Sequence, residues 1–142
     1  MRGNEIFLPM LATMALTALV WFYMYARRIP AMYRAGLSAQ TYTTPSSVIE
    51  HLPAEVNYSA NNFNNLCQLP VLFYSMCLYV FVSGTVDAMY VAAAWIFFAL
   101  RTLHSLNHCT RNIVILRFYL YAASALALWF MLGKALLNEL TV

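Results

Sequence analysis

The sequence predicts an all-α integral membrane protein, a bundle of four transmembrane helices. Two observations carry this. Hydrophobic residues fill 63% of the 142 positions and charged residues 9%, whereas a soluble domain holds about half apolar and about 25% charged residues. The few charges are also segregated, and four long apolar runs lie between them. Runs of this length read as helices, because an open sheet leaves backbone groups unsatisfied in lipid. The length fits a single domain over 1–142.

The first helix is predicted over 6–25, since no Asp, Glu, Lys or Arg lies between Glu5 and Arg27. About 20 residues rise about 30 Å, the thickness of the hydrocarbon core. The run exceeds the about 7–15 apolar residues of a signal peptide and reads as a span. The second helix is predicted over 58–82, inside a charge-free stretch between Glu55 and Asp87. Its Pro70 predicts a kink, because proline leaves the Leu66 carbonyl without an N–H partner. The third is predicted over 88–108, interrupted by Arg101. The fourth is predicted over 113–137, with Arg117 near its start and Lys134 near its end.

The connections differ in kind. Residues 26–57 form a long polar loop containing Pro30, Pro45 and Pro53. Within it, Ser47-Val48-Ile49-Glu50 has capping-box spacing and predicts a short helix that stops at Pro53. Ser83-Gly84-Thr85 marks a tight turn. A short link of about six residues, Asn107 to Asn112, makes helices three and four antiparallel neighbours.

Basic residues set the expected orientation. Arg27, Arg28, Arg34 and Arg111 lie in loops 1 and 3, against Arg2 and Lys134 on the other side. The positive-inside rule places loops 1 and 3 in the cytoplasm and the termini opposite. The net charge of +3 is accounted for in this way and calls for no nucleic acid partner. Cys67, Cys77 and Cys109 lie at membrane depth and read as small packing residues, not as a disulfide framework.

Function is expected where ionisable residues sit at membrane depth. A charge there costs about 3 kcal/mol or more, so such residues usually face a bundle interior or a wet cavity. At 100° per residue, Arg101, His104 and His108 fall within about 60° of one another on helix three. Arg117 and Tyr121, one turn apart, share a face of helix four. Helix two adds Asn61, Asn64, Asn65 and Gln68 at helical spacing. Such amides also serve as interhelical glue, worth about 0.6–2 kcal/mol each. Arginines near helix ends also snorkel to the headgroups, which suits Arg111 and Arg117 better than Arg101, two turns from the loop.

Two arginines in a desolvated crevice make an anion site, and guanidinium grips carboxylate with two prongs. A thiol with a pKa of about 8.5 needs about 2 kcal/mol of differential stabilisation to be half ionised at pH 7. One arginine in a low-dielectric site supplies that. A ligand bearing carboxylates and a thiol therefore suits the crevice.

Four helices of this length, the Asn64–Pro70 segment, and Arg101-x-x-His104 followed by Arg117-x-x-x-Tyr121 resemble the MAPEG family. These are the membrane-associated proteins in eicosanoid and glutathione metabolism. The resemblance covers nearly the whole chain, which looks like a divergent, bacterial-like member. It implies a homotrimer with glutathione held as co-substrate between subunits near the cytoplasmic face. It implies that Arg117 activates the glutathione thiol and that Tyr121 supplies a hydroxyl beside it. Arg101, His104 and His108 would contact or support the ligand, with Asn64 and Gln68 from helix two. Arg27 or Arg28 would reach a glutathione carboxylate. The chain departs from the family pattern in helix two. Ser59-Ala60 stands where Arg-Ala is usual, and Cys67-Gln68 where a Glu is usual. His108 replaces a common Tyr.

Three functions remain open at this level. One is a glutathione-dependent transferase or peroxidase acting on a lipophilic small molecule that enters from the membrane lipid. Another is a non-enzymatic or differently specific relative that binds a lipid or another anion. The last is a metal or haem site on His104 and His108, one turn apart, with Cys109 adjacent. The chain shows no glycine-rich phosphate loop, no paired carboxylates and no Ser-His-Asp pattern. Two-carboxylate hydrolysis is therefore not supported.

Overall fold

A computed structural model describes residues 3–141. After a 3-10 turn at Gly3–Ile6 come α1 (Phe7–Ala35), a short α2 (Pro45–His51), α3 (Ala54–Leu66), α4 (Leu69–Val82), α5 (Ala88–Cys109) and α6 (Val114–Leu140). No strand occurs among the described residues. Four helical segments are long and apolar enough to cross a membrane: Gly3–Ala35, Ala54–Val82, Ala88–Cys109 and Val114–Leu140.

The central helix is α5, flanked by α1, α3 and α6, and α6 runs antiparallel to it. Phe73 of α4 stacks on Phe97 of α5 at 4.2 Å between ring centroids. Around them lie Val80, Tyr90, Ala94, Leu128 and Met131, all buried. On α6 the buried positions are Ser124, Leu128, Met131 and Ala135. That spacing traces one narrow stripe on a helix. Leu126, Phe130, Leu137 and other large apolar residues of α6 are exposed, as is much of α1. Such faces are stable in lipid or against another chain, not in water.

Three boundaries correct the sequence reading. The loop expected over 26–57 is helical for its first third, because α1 continues to Ala35. The cause is a second, small core in which Val48, Leu52 and Val56 pack on Ala31 and Met32 of α1. Gly36 then stops the helix in a left-handed conformation (φ 64°), and its N–H bonds the Tyr33 carbonyl. The short helix begins one turn earlier than Ser47. Thr44 is its cap: the Thr44 hydroxyl accepts from the Ser47 N–H, and the Ser47 hydroxyl accepts from the Thr44 N–H, each at 3.2 Å.

Helix two starts at Ala54, not Tyr58, and it is broken rather than kinked. Residues Cys67 and Gln68 leave helical geometry before α4 restarts with Pro70 in its first turn. Pro70 has no N–H to offer the preceding turn, so the ladder fails there. The break frees the Asn65 carbonyl from the regular helix ladder, and this carbonyl helps build the site.

Candidate functional site

The buried basic side chains converge at the α5–α6 end of the bundle. Arg101, His104 and His108 occupy one face of α5 and are 0–2% exposed. The His104 and His108 rings meet edge to face at 5.4 Å. Tyr121 of α6 lies 6.0 Å from the His104 ring, and its own ring sits 5.2 Å from the Arg101 guanidinium carbon. Arg101 thus lies under a π-face, an attractive contact for a cation. One guanidinium nitrogen donates to the Asn65 carbonyl at 2.8 Å. The adjacent Gln68 N–H reaches that carbonyl at 3.4 Å across the helix break, a long contact. Arginine therefore completes a backbone group that the break left underused.

The site is not fully satisfied. Arg101 Nε and Nη1, His104 Nδ1 and His108 Nδ1 are buried with no hydrogen-bond partner. Among the described residues the ion pair is Lys134–Asp87, far along α5, so no carboxylate neutralises Arg101. Buried charge without a counter-ion is costly. An anion entering here would offset that cost.

Arg117 is aimed by the turn before α6. The Asn107 side chain clasps this turn: its Nδ2 donates to the Ile113 carbonyl at 2.9 Å, and its Oδ1 accepts from the Ile113 N–H at 3.3 Å. Asn112 adopts φ 50°, a left-handed position that asparagine tolerates better than most side chains. Its Oδ1 accepts from Arg117 Nη1 at 2.6 Å. Arg117 is thereby held at the mouth of a cavity of about 290 Å³, lined by Asn65, His104, Val114, Arg117, Phe118 and Tyr121.

Five of the sequence candidates, Arg101, His104, His108, Arg117 and Tyr121, lie together. Asn64 and Gln68 are exposed and do not line the crevice. Arg27 lines a different cavity, between α1 and α2, and Arg28 is half-buried beside it. The inward amides of α3 are Asn57 and Asn62, both buried, with Asn65 half-buried beside them. Asn62 is buried, accepts from the Ser105 hydroxyl at 3.4 Å and donates to Cys109 Sγ at 3.5 Å. Helical spacing showed that α3 carries an amide stripe but not which edge turns inward. Asn107 and Asn112 were legible as turn residues, yet their hold on Ile113 and Arg117 needed the fold. Among the described residues no three His, Cys, Asp or Glu side chains come together as a cation site. His104 and His108 therefore lack a third such ligand, and two arginines stand close to them.

Fold and site together define a multi-pass membrane bundle with a buried cationic crevice between its last two helices and its broken second helix. The chain matches the MAPEG family over residues 6–137, a range that includes all four membrane segments nearly whole, and it belongs to that family. No curated protein and no solved structure matches it.

Proposed function

We propose that the crevice binds glutathione and that the protein is a glutathione-dependent transferase or peroxidase for lipophilic electrophiles. One observation carries this reading. Arg117 stands at the mouth of the cavity, and behind its Tyr121 wall Arg101 is completely buried with two unpartnered guanidinium nitrogens; no carboxylate lines the cavity. Two guanidinium groups suit a small anion with carboxylates. Their field also favours the charged form of a thiol.

In this reading Arg117 stabilises the thiolate, and the Tyr121 hydroxyl donates a hydrogen bond to it. Arg101 and the histidines behind it hold a carboxylate or amide of the ligand. In the transferase reaction the thiol proton leaves to water. The sulfur then forms a C–S bond as the electrophile's bond to its leaving group breaks. The lipophilic partner arrives through the membrane, to which the exposed apolar faces of α1 and α6 give access. Three copies assemble through parts of those faces. The crevice faces the cytoplasm, because Arg27, Arg28, Arg34 and Arg111 cluster at that end.

A second reading follows from the helix break. Gln68 is exposed, and no carboxylate stands in the crevice to receive an ammonium group. The same cations would then hold a different anion without thiol chemistry.

Ultraviolet difference absorbance of the purified protein titrated with glutathione separates the two. The expected result is a saturable thiolate band near neutral pH that Arg117→Ala abolishes while the helical bundle stays intact. No band and no binding would transfer the site to the second reading.

A further inference from the structure

A second basic cavity lies outside the crevice, where α1 leaves the membrane. Helix α1 has 29 residues, about 43 Å at 1.5 Å per residue, against a hydrocarbon core of about 30 Å. Its first 20 residues or so span the core, so Arg27 onward stand at headgroup level. There α1 and the α2–α3 corner enclose a cavity of about 590 Å³. Arg27 and Arg34, two turns apart on one face of α1, line it, with His51 and Pro53 opposite.

This cavity is built, not incidental. The small core of Val48, Leu52 and Val56 against Ala31 and Met32 fixes the distance between its walls. The His51 ring is held through Nδ1 to the Ser47 carbonyl at 2.7 Å. No acid lines the cavity, and among the described residues neither Glu50 nor Glu55 makes an ion pair with an arginine. Arg28, beside it, buries Nε without a partner. The far side of α1 is apolar, with Ile29 and Tyr33 exposed, Tyr33 at 83%. An amphipathic aromatic at this depth anchors a helix at the lipid boundary.

We propose that this cavity is a binding site for the phosphate group of an anionic phospholipid, gripped by Arg27 and Arg34. Guanidinium matches phosphate with two prongs. The depth favours lipid over free phosphate as the source, since a headgroup at this level has its acyl chains in the adjoining hydrocarbon core. Each basic residue near an anionic headgroup contributes about fivefold in affinity. The lipid would fasten the α1 extension and α2 to the membrane surface, independently of what the crevice binds.

The test uses the delipidated full-length protein in detergent, titrated with phosphatidylglycerol, phosphatidylcholine or inorganic phosphate and read by native mass spectrometry. The expected result is one phosphatidylglycerol per chain, retained about 25-fold over phosphatidylcholine, about fivefold for each arginine. Arg27→Gln with Arg34→Gln removes that preference, whereas Arg111→Gln, in the other basic loop, keeps it. If the double variant unfolds, Arg34→Gln alone, at an exposed position, is expected to weaken phosphatidylglycerol about fivefold. Equal retention of both lipids, or a preference untouched by these substitutions, would overturn the site. Displacement of the lipid by inorganic phosphate at equal concentration would overturn the lipid assignment.

Discussion

The two ends of α5 carry charge in opposite ways. At its start, Asp87 is half exposed and fully employed. One carboxylate oxygen accepts from the backbone N–H groups of Met89 and Tyr90, each at 3.0 Å, and so caps the helix. The other oxygen pairs with Lys134 of α6. The Lys134 ammonium also lies 4.3 Å from the Tyr90 ring centroid. At the other end, Arg101 is sealed from solvent with two nitrogens unpartnered and no acid near. A paired charge at a rim is explained by the helix it caps. An unpaired charge in a core is not explained by stability, since its replacement by an apolar residue is often neutral or stabilising. The contrast separates charge that holds the bundle from charge that, in the proposed reading, waits for a ligand.

The comparison breaks most directly at Arg101. Arg101→Met is expected to weaken glutathione by about 30-fold, because a hydrogen bond to a charged group contributes about 2 kcal/mol. The melting temperature of the same variant should hold or rise. Calorimetric titration and a thermal melt on one preparation read both. A large drop in melting temperature with unchanged affinity would make Arg101 a structural bolt, and the two ends would then be alike.

Asp87→Ala should show the reverse pattern. Loss of the cap is expected to cost about 1 kcal/mol of stability and to leave ligand affinity unchanged. Acid should reproduce this effect. Partial burial opposes ionisation of Asp87, but the Lys134 ammonium and the Tyr90 and Met89 N–H groups outweigh it and hold the carboxyl below its ordinary value. A depressed carboxylate stabilises the fold above its unfolded pKa of about 3.9 and loses that contribution as pH falls through the lower folded value. Melts of the wild type between neutral pH and pH 3 should therefore fall further than those of Asp87→Ala. Parallel curves would remove Asp87 from the account.

The smallest effect is expected at Lys134. The pair is partly exposed, and such pairs contribute less than about 1 kcal/mol. Lys134→Met should lower the melting temperature by less than Asp87→Ala does, because the cap to Met89 and Tyr90 survives. A larger loss would mean that the cation over Tyr90 matters more than the carboxylate.

The sequence by itself determined the membrane class, the four spans and the polar stripe of α5. Each of these follows from a period or a run that the chain carries locally. The charge-free stretches match the bilayer thickness, and Arg101, His104 and His108 share a face at any helical pitch near 100° per residue. Tyr121 and Arg117 were legible for the same reason. What lay outside the sequence was everything set by contact between distant segments. The extension of α1 to Ala35 depends on Val48, Leu52 and Val56 packing against it. Which edge of the amide stripe turns inward depends on how α3 rolls against α5, and that choice buried Asn57 and Asn62 and left Asn65 half-buried. Pro70 announced a defect, but only the bundle decided that the freed backbone would be answered by Arg101, 36 residues away in sequence. Local periodicity fixes where a side chain stands on its own helix. The partner it meets is fixed by packing, which minimises the total cost of burying all the helices together.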